Sequence, residues 1–178
     1  MSAKRRHRRV KRGKEFNLKG SKMCNEKLFC FASRNFENIK IGYEQNLWAV
    51  ATVSDRAMKS RRTKAQKYMA IGDKAILYCN TIHSFSVPFE IKSEPSLYEI
   101  VRDVWPEAWE IPFGIEPLRR PEATLQHQEA TRKWPFLTDL IRRTGSISAA
   151  LNMTDTTVFV PTYITRANCI EILESFDK

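Results

Sequence analysis

Residues 28–51, LFCFASRNFENIKIGYEQNLWAVA, decide the fold. The apolar run at residues 28–32, bounded by polar residues, predicts a buried strand. Asn35 follows as a helix N-cap, and Phe36, Ile39, Ile41 and Tyr43 supply the apolar positions of a short helix. Residues 47–51 then read as a second apolar strand.

Outward from this unit the pattern stays mixed. Ser54 and Asp55 open a run of good helix formers that reaches Tyr68, with Ala57, Met58, Ala65 and Met69 as inner contacts. Its outer positions are basic: Arg56, Lys59, Arg61, Arg62, Lys64 and Lys67. Gly72-Asp73 marks a turn before a strand over residues 74–80. Residues 84–92 form another strand, in which Pro88 has to sit at an edge or a bulge. A long segment over 93–110 carries Pro95, Pro106 and two tryptophans, and a strand over 111–118 ends at Pro117 and Pro121. The last third reads as helices over 136–143, 146–151 and 166–176. Strands spread through the chain with short helices between them predict an α+β fold, a small curled, partly closed sheet or barrel with helices around it.

The net charge of +10 is unevenly placed. Residues 1–23 carry +9 and leave only +1 for residues 24–178. That arm has almost no apolar anchors, so it cannot offset its ordering entropy and is expected to be disordered on its own. Lys4, Arg5, Arg6, Arg8, Arg9, Lys11, Arg12 and Lys14 suit a phosphate backbone, whose neutralisation releases counterions. Arg61 and Arg62 on the basic helix would extend the same phosphate track. A nuclear import signal or a solubility tail is the plainer use of such an arm.

No apolar run is long enough to span a bilayer, and the arm lacks the apolar stretch of a secretory signal. A soluble intracellular protein is expected. Cys24, Cys30, Cys79 and Cys169 lack paired spacing, and buried reduced thiols are the expectation, without metal or cofactor. The six glycines stand singly, so there is no phosphate-cradling loop, and no nucleophile elbow or paired-histidine zinc motif is present. Glu90-x-Lys92 is the nearest approach to a nuclease motif and reads better as an exposed strand face of alternating charge.

Trp48, Trp105, Trp109 and Trp134 are the unusual content. Most indoles pack in cores. Trp105 and Trp109 lie in a proline-flanked loop, where flat rings serve to stack a base.

Residues 28 to about 175 resemble an EVE domain of the PUA-like superfamily, a relative of the YTH domains. The resemblance rests on LFCFASRNFEN (28–38), LWAVATV (47–53), AIGDKAILYC (70–79), FEIKSEP (89–95) and IPFGIEPL (111–118). It implies a pocket for a modified base and no catalysis. Trp48 matches the tryptophan that opens the aromatic cage of the relatives, and the Ala49 backbone falls where they contact the base edge. Trp109 and Trp105 match further walls, while Asn38 and Ser33 match polar positions that face the base. Arg34 stands where the YTH relatives place an asparagine. Ala49-Val50-Ala51 replaces the Gly-Val-Pro-like turn of EVE proteins, and residues 146–149 replace a Trp-Ser-Met-His-like run.

The expected function is therefore a non-catalytic reader of methylated adenine or modified cytosine in RNA or DNA. The arm supplies sequence-independent affinity and the pocket supplies selectivity. A structural RNA-binding subunit of a ribonucleoprotein particle is the alternative, and a nuclease or modification enzyme the least favoured reading.

Overall fold

The computed structural model describes residues 25–177. The basic arm over 1–23, with all its phosphate-binding candidates, lies outside the described residues, as does Cys24.

The opening unit forms as its sequence dictates. Strand β1 (Asn25–Ser33) leads into helix α1 (Phe36–Glu44) and strand β2 (Leu47–Ala51). Asn35 caps α1 by accepting from the Glu37 N–H at 2.9 Å. Helix α2 (Asp55–Tyr68) follows, turning Met58, Arg61 and Ala65 inward. Strand β3 (Lys74–Cys79) lies parallel to β1, with Phe29 beside Ala75 and Phe31 beside Leu77. Their unbroken apolar runs have this cause: both strands have neighbours on either side and are buried on both faces.

The single strand expected over 84–92 is two. Strands β4 (Ser84–Ser86) and β5 (Phe89–Ile91) flank Val87-Pro88. Both pair with β3, but on their other side β4 takes β8 (Thr124–Gln126) and β5 takes β7 (Trp109–Pro117). Pro88 has no N–H for a ladder, so the change of partner falls there. Short β6 (Ile100–Val101) pairs with β7, and β9 (Thr162–Thr165) runs antiparallel to β1. The nine strands among the described residues follow the path β2-β7-β5-β3-β1-β9, with β4, β6 and β8 attached to its side. The path does not close, so the α+β class expected from the sequence is realised as an open sheet and not as a barrel.

Helices α3 (His127–Lys133), α4 (Pro135–Thr144), α5 (Ile147–Ala150) and α6 (Arg166–Glu174) complete the body. Trp134, between α3 and α4, packs on Phe85 and donates its indole N–H to Ser175 at 2.9 Å, tying the carboxyl-terminal helix to the sheet. It is the core tryptophan that composition leads one to expect.

The pairing of β2 with β7 is irregular at one point. Trp48 pairs with Phe113 and Val50 with Glu110, so Ala49 faces two residues, Ile111 and Pro112. This is a β-bulge, and Pro112 fits it because the ladder there needs no N–H. Ile111 accommodates the bulge at φ +58°, a backbone region that branched residues rarely enter.

Candidate functional site

A cavity of about 500 Å³ opens beside that bulge, at the carboxyl ends of the parallel pair β1 and β3. Its size is that of a small-molecule site. Ser33 reaches it from the end of β1 and Arg34 from just beyond, Asn38 from α1, and Trp48 and Ala49 from β2. Trp109 comes from β7 and Arg61 from α2. Met153, Asp155 and Val158, from the segment after α5, form a further wall, and Glu107 lines the cavity ahead of β7.

Three indoles meet at this site. Trp105 and Trp109 are stacked, with centroids 4.5 Å apart and planes within 13°. Trp48 stands perpendicular to both, its centroid 5.1 Å from Trp109 and 5.9 Å from Trp105. All three are buried. Trp105 donates its N–H to the Asn38 carbonyl at 3.0 Å, which fixes the loop against α1. A base held between two parallel rings needs twice a carbon contact distance, roughly 7 Å. The 4.5 Å stack leaves no such gap, and Trp105, expected from the sequence as a further wall, backs Trp109 and does not line the cavity.

Hydrogen bonding at the site is lopsided. Among the described residues, the buried side-chain nitrogens and oxygens without a partner are the Trp48 Nε1, the Trp109 Nε1 and the Arg61 Nε. All three are donors, and all three belong to residues that line this cavity. Buried donors ordinarily find acceptors, and one left alone costs about 1–3 kcal/mol. The polar groups the sequence singled out are already engaged with protein. Ser33 donates to the Asn35 carbonyl at 2.8 Å, and the Asn38 amide contacts Glu107 at 3.5 Å. Arg34 lies exposed at the rim.

Arg61 and Arg62 do not form the outer phosphate track expected of α2. Arg61 is only 6% exposed and donates to the Ala51 carbonyl at 2.9 Å and to Asp155 at 2.9 Å. Burial holds its pKa below the ordinary guanidinium value, opposed by the Asp155 charge. Arg62 donates to the Leu97 carbonyl and to the buried Glu110, at 2.8 and 2.5 Å. Helical periodicity puts both residues beside Met58 and Ala65, and the acids they pair with, Asp155 and Glu110, lie far along the chain. Nothing local in the sequence marks that pairing.

Cys30, Cys79 and Cys169 are buried as free thiols, as expected, and burial pushes the Cys30 thiol up. Among the described residues, no three His, Cys, Asp or Glu side chains gather where a metal ion would be held. No helix among them is long and apolar enough to cross a membrane.

The fold belongs to a class seen in solved structures. The chain is similar to the Pho92 YTH domain in complex with m6A, with a TM-score of 0.54 and 17% identity over 86% of this chain and 84% of that one. It is likewise similar to the Mmi1 YTH domain, with a TM-score of 0.51 and 9% identity over 84% of this chain and 87% of that one. The fold is YTH-like. No protein-family model matches the sequence, and no curated protein matches it.

Proposed function

We propose that the chain is a non-catalytic reader of a modified base in nucleic acid, an EVE-type relative of the YTH domains, and that the cavity beside Trp48 and Trp109 receives the base. The observation that carries this reading is that the three residues with partnerless buried donors all line one cavity walled by indoles. A nucleobase is flat and bears ring-nitrogen and carbonyl acceptors at its edge, so it answers both features. The solved YTH domain in complex with m6A has the same fold, which supports the assignment of ligand class.

Base capture exchanges the edge contact between Trp48 and Trp109 for base–indole stacking, which contributes about 1–3 kcal/mol per base. A methyl group adds about 0.8 kcal/mol, roughly a fourfold preference. These energies make the pocket selective but weak for a single nucleotide. The basic arm supplies the salt-dependent remainder by gripping phosphates, with RNA as the first partner to test and DNA as the second.

The test is a titration of the full chain against matched RNA and DNA strands carrying adenine, N6-methyladenine, cytosine or a 5-substituted cytosine. One modified strand should bind several-fold tighter than its unmodified twin. Trp48→Leu and Trp109→Leu should each abolish that preference while leaving arm-driven affinity in place, with thermal melts confirming the fold. Equal affinity for every strand, unchanged by either substitution, rejects the reading and favours a structural RNA-binding subunit.

A further inference from the structure

We propose that Arg61 is the phosphate anchor of the cavity and that Asp155 is an internal anion which the phosphate displaces. This inference rests on the base-pocket reading and adds a second recognition element to it.

Arg61 is an anomaly on its helix. Its neighbours Arg56, Lys59 and Lys67 are exposed, yet its guanidinium is drawn beneath the surface to the cavity wall. One edge is fixed, because Nη1 donates to the Ala51 carbonyl at 2.9 Å at the end of β2. The other edge is underused: Nη2 reaches Asp155 at 2.9 Å, and Nε has no acceptor among the described residues. A guanidinium presents a planar fork of donors that fits phosphate bidentately. Here the fork is preset by its Ala51 bond and half filled.

The group that half fills it is poorly placed to be a permanent partner. The Asp155 side chain is 78% exposed, between Thr154 and Thr156 in the turn that follows Met153. An ion pair with so wet a carboxylate is held weakly and exchanges readily for a better anion. The other acid near Arg61, Glu110, is bound by Arg62 at 2.5 Å. Arg61 therefore faces a cavity with two wall indoles, a free N–H and two carboxylates, the easily moved Asp155 and Glu107, which is in contact with the Asn38 amide. A nucleotide, whose base and phosphate are covalently joined, meets the indoles and the guanidinium together. A bare nucleoside meets only the indoles.

The experiment is calorimetric titration of the full chain with N6-methyladenosine, 5-methylcytidine, their 5′- and 3′-monophosphates, and inorganic phosphate alone. One nucleoside should bind, and one of its monophosphates should bind roughly tenfold tighter, the equivalent of a charge-assisted hydrogen bond. Asp155→Asn should tighten the monophosphate about two- to fivefold further, the worth of an exposed ion pair, and leave the nucleoside unchanged. Arg61→Lys should erase the monophosphate's advantage. If nucleoside and monophosphates bind alike in both the natural chain and Asp155→Asn, the anchor is rejected while the base pocket stands. If no nucleoside or nucleotide binds, both readings fall. If inorganic phosphate binds as tightly as the monophosphate, Arg61 serves a free-anion site and the link to the base is rejected.

Discussion

Gly42 of α1 is pressed against the indole of Trp48. A Cβ at Gly42 would stand 2.8 Å from the Trp48 Cε3 and 3.0 Å from the Leu47 carbonyl oxygen. The helix thus braces the cavity wall from behind, at a point where only a hydrogen fits. Glycine in a helix costs about 1 kcal/mol against alanine, and here the close approach offsets that cost.

Gly42→Ala therefore tests the brace. Helix propensity alone would make the variant more stable, but overpacking costs about 1–3 kcal/mol and the ring and a backbone carbonyl are both in the way. A net loss of stability with a shifted tryptophan emission is expected, together with weaker selection of the modified base. A melting temperature that stays level or rises, with binding intact, would show that Trp48 has room to move.

The sequence reveals the frame of this molecule better than its site. Asn35 as a cap and Leu47 to Ala51 as a strand are local signals, and each is realised, whereas Pro88, expected at an edge or bulge of one strand, divides two. Strand β8 and helix α3 escape because Thr124–Gln126 is three residues long and His127–Lys133 buries only Ala130, so neither has a readable apolar period. Strand β9 hides behind Pro161, alternating Thr162, Tyr163, Ile164 and Thr165 too briefly to stand out. At the site, Trp48, Trp109, Ala49 and Asn38 line one cavity with Ser33 and Arg34. The place of Trp105, the inward turn of Arg61 and the partner it finds in Asp155 depend on packing between distant segments. A glycine within the pattern of α1 is the one local trace of the brace behind Trp48.

Tyr43 links α1 to the sheet through its hydroxyl, which lies 2.6 Å from the Ser86 Oγ and donates to the Val87 carbonyl at 2.6 Å. Tyr43→Phe keeps the ring on Phe89 but leaves buried acceptors short of a donor. A loss of about 1–2 kcal/mol is expected in urea unfolding with an unchanged slope. Because Ser86 also contacts Leu77 and Val87, a neutral result would mean that its hydroxyl replaces the phenol completely.

Alkaline pH should weaken the fold from about pH 9 upward. Burial first, then the neighbouring Glu26, raises the Cys169 thiol from its ordinary 9.0 to about 11. Below pH 9 the folded and unfolded chains both hold this proton, and its contribution is fully present. Between 9 and 11 the unfolded chain releases it while the folded chain keeps it, so stability falls with rising pH. Burial raises Cys30, Tyr43 and Tyr78 as well, and they act in the same direction. Denaturant unfolding across pH 7 to 11 should show the decline, with a shallower slope in Cys169→Ala. An identical slope in that variant would assign the loss to the other groups.

Arg62 separates a structural helix face from a nucleic-acid track. It bonds Glu110 at 2.5 Å, and Glu110 is 5% exposed in the middle of the β2–β7–β6 pairing. Removing the cation leaves a buried carboxylate uncompensated, which costs about 3–5 kcal/mol when both partners are fully buried. Arg62 is a quarter exposed, so Arg62→Ala should cost less, about 2–3 kcal/mol. Glu110→Gln should cost less again, and the double variant should recover part of the loss, giving a coupling energy of about 1–2 kcal/mol. The affinity for unmodified strands should stay near that of the natural chain, because the guanidinium is spent on Glu110 and Leu97. A stable Arg62→Ala variant with weakened, less salt-dependent nucleic-acid binding would instead return Arg62 to the phosphate track along α2.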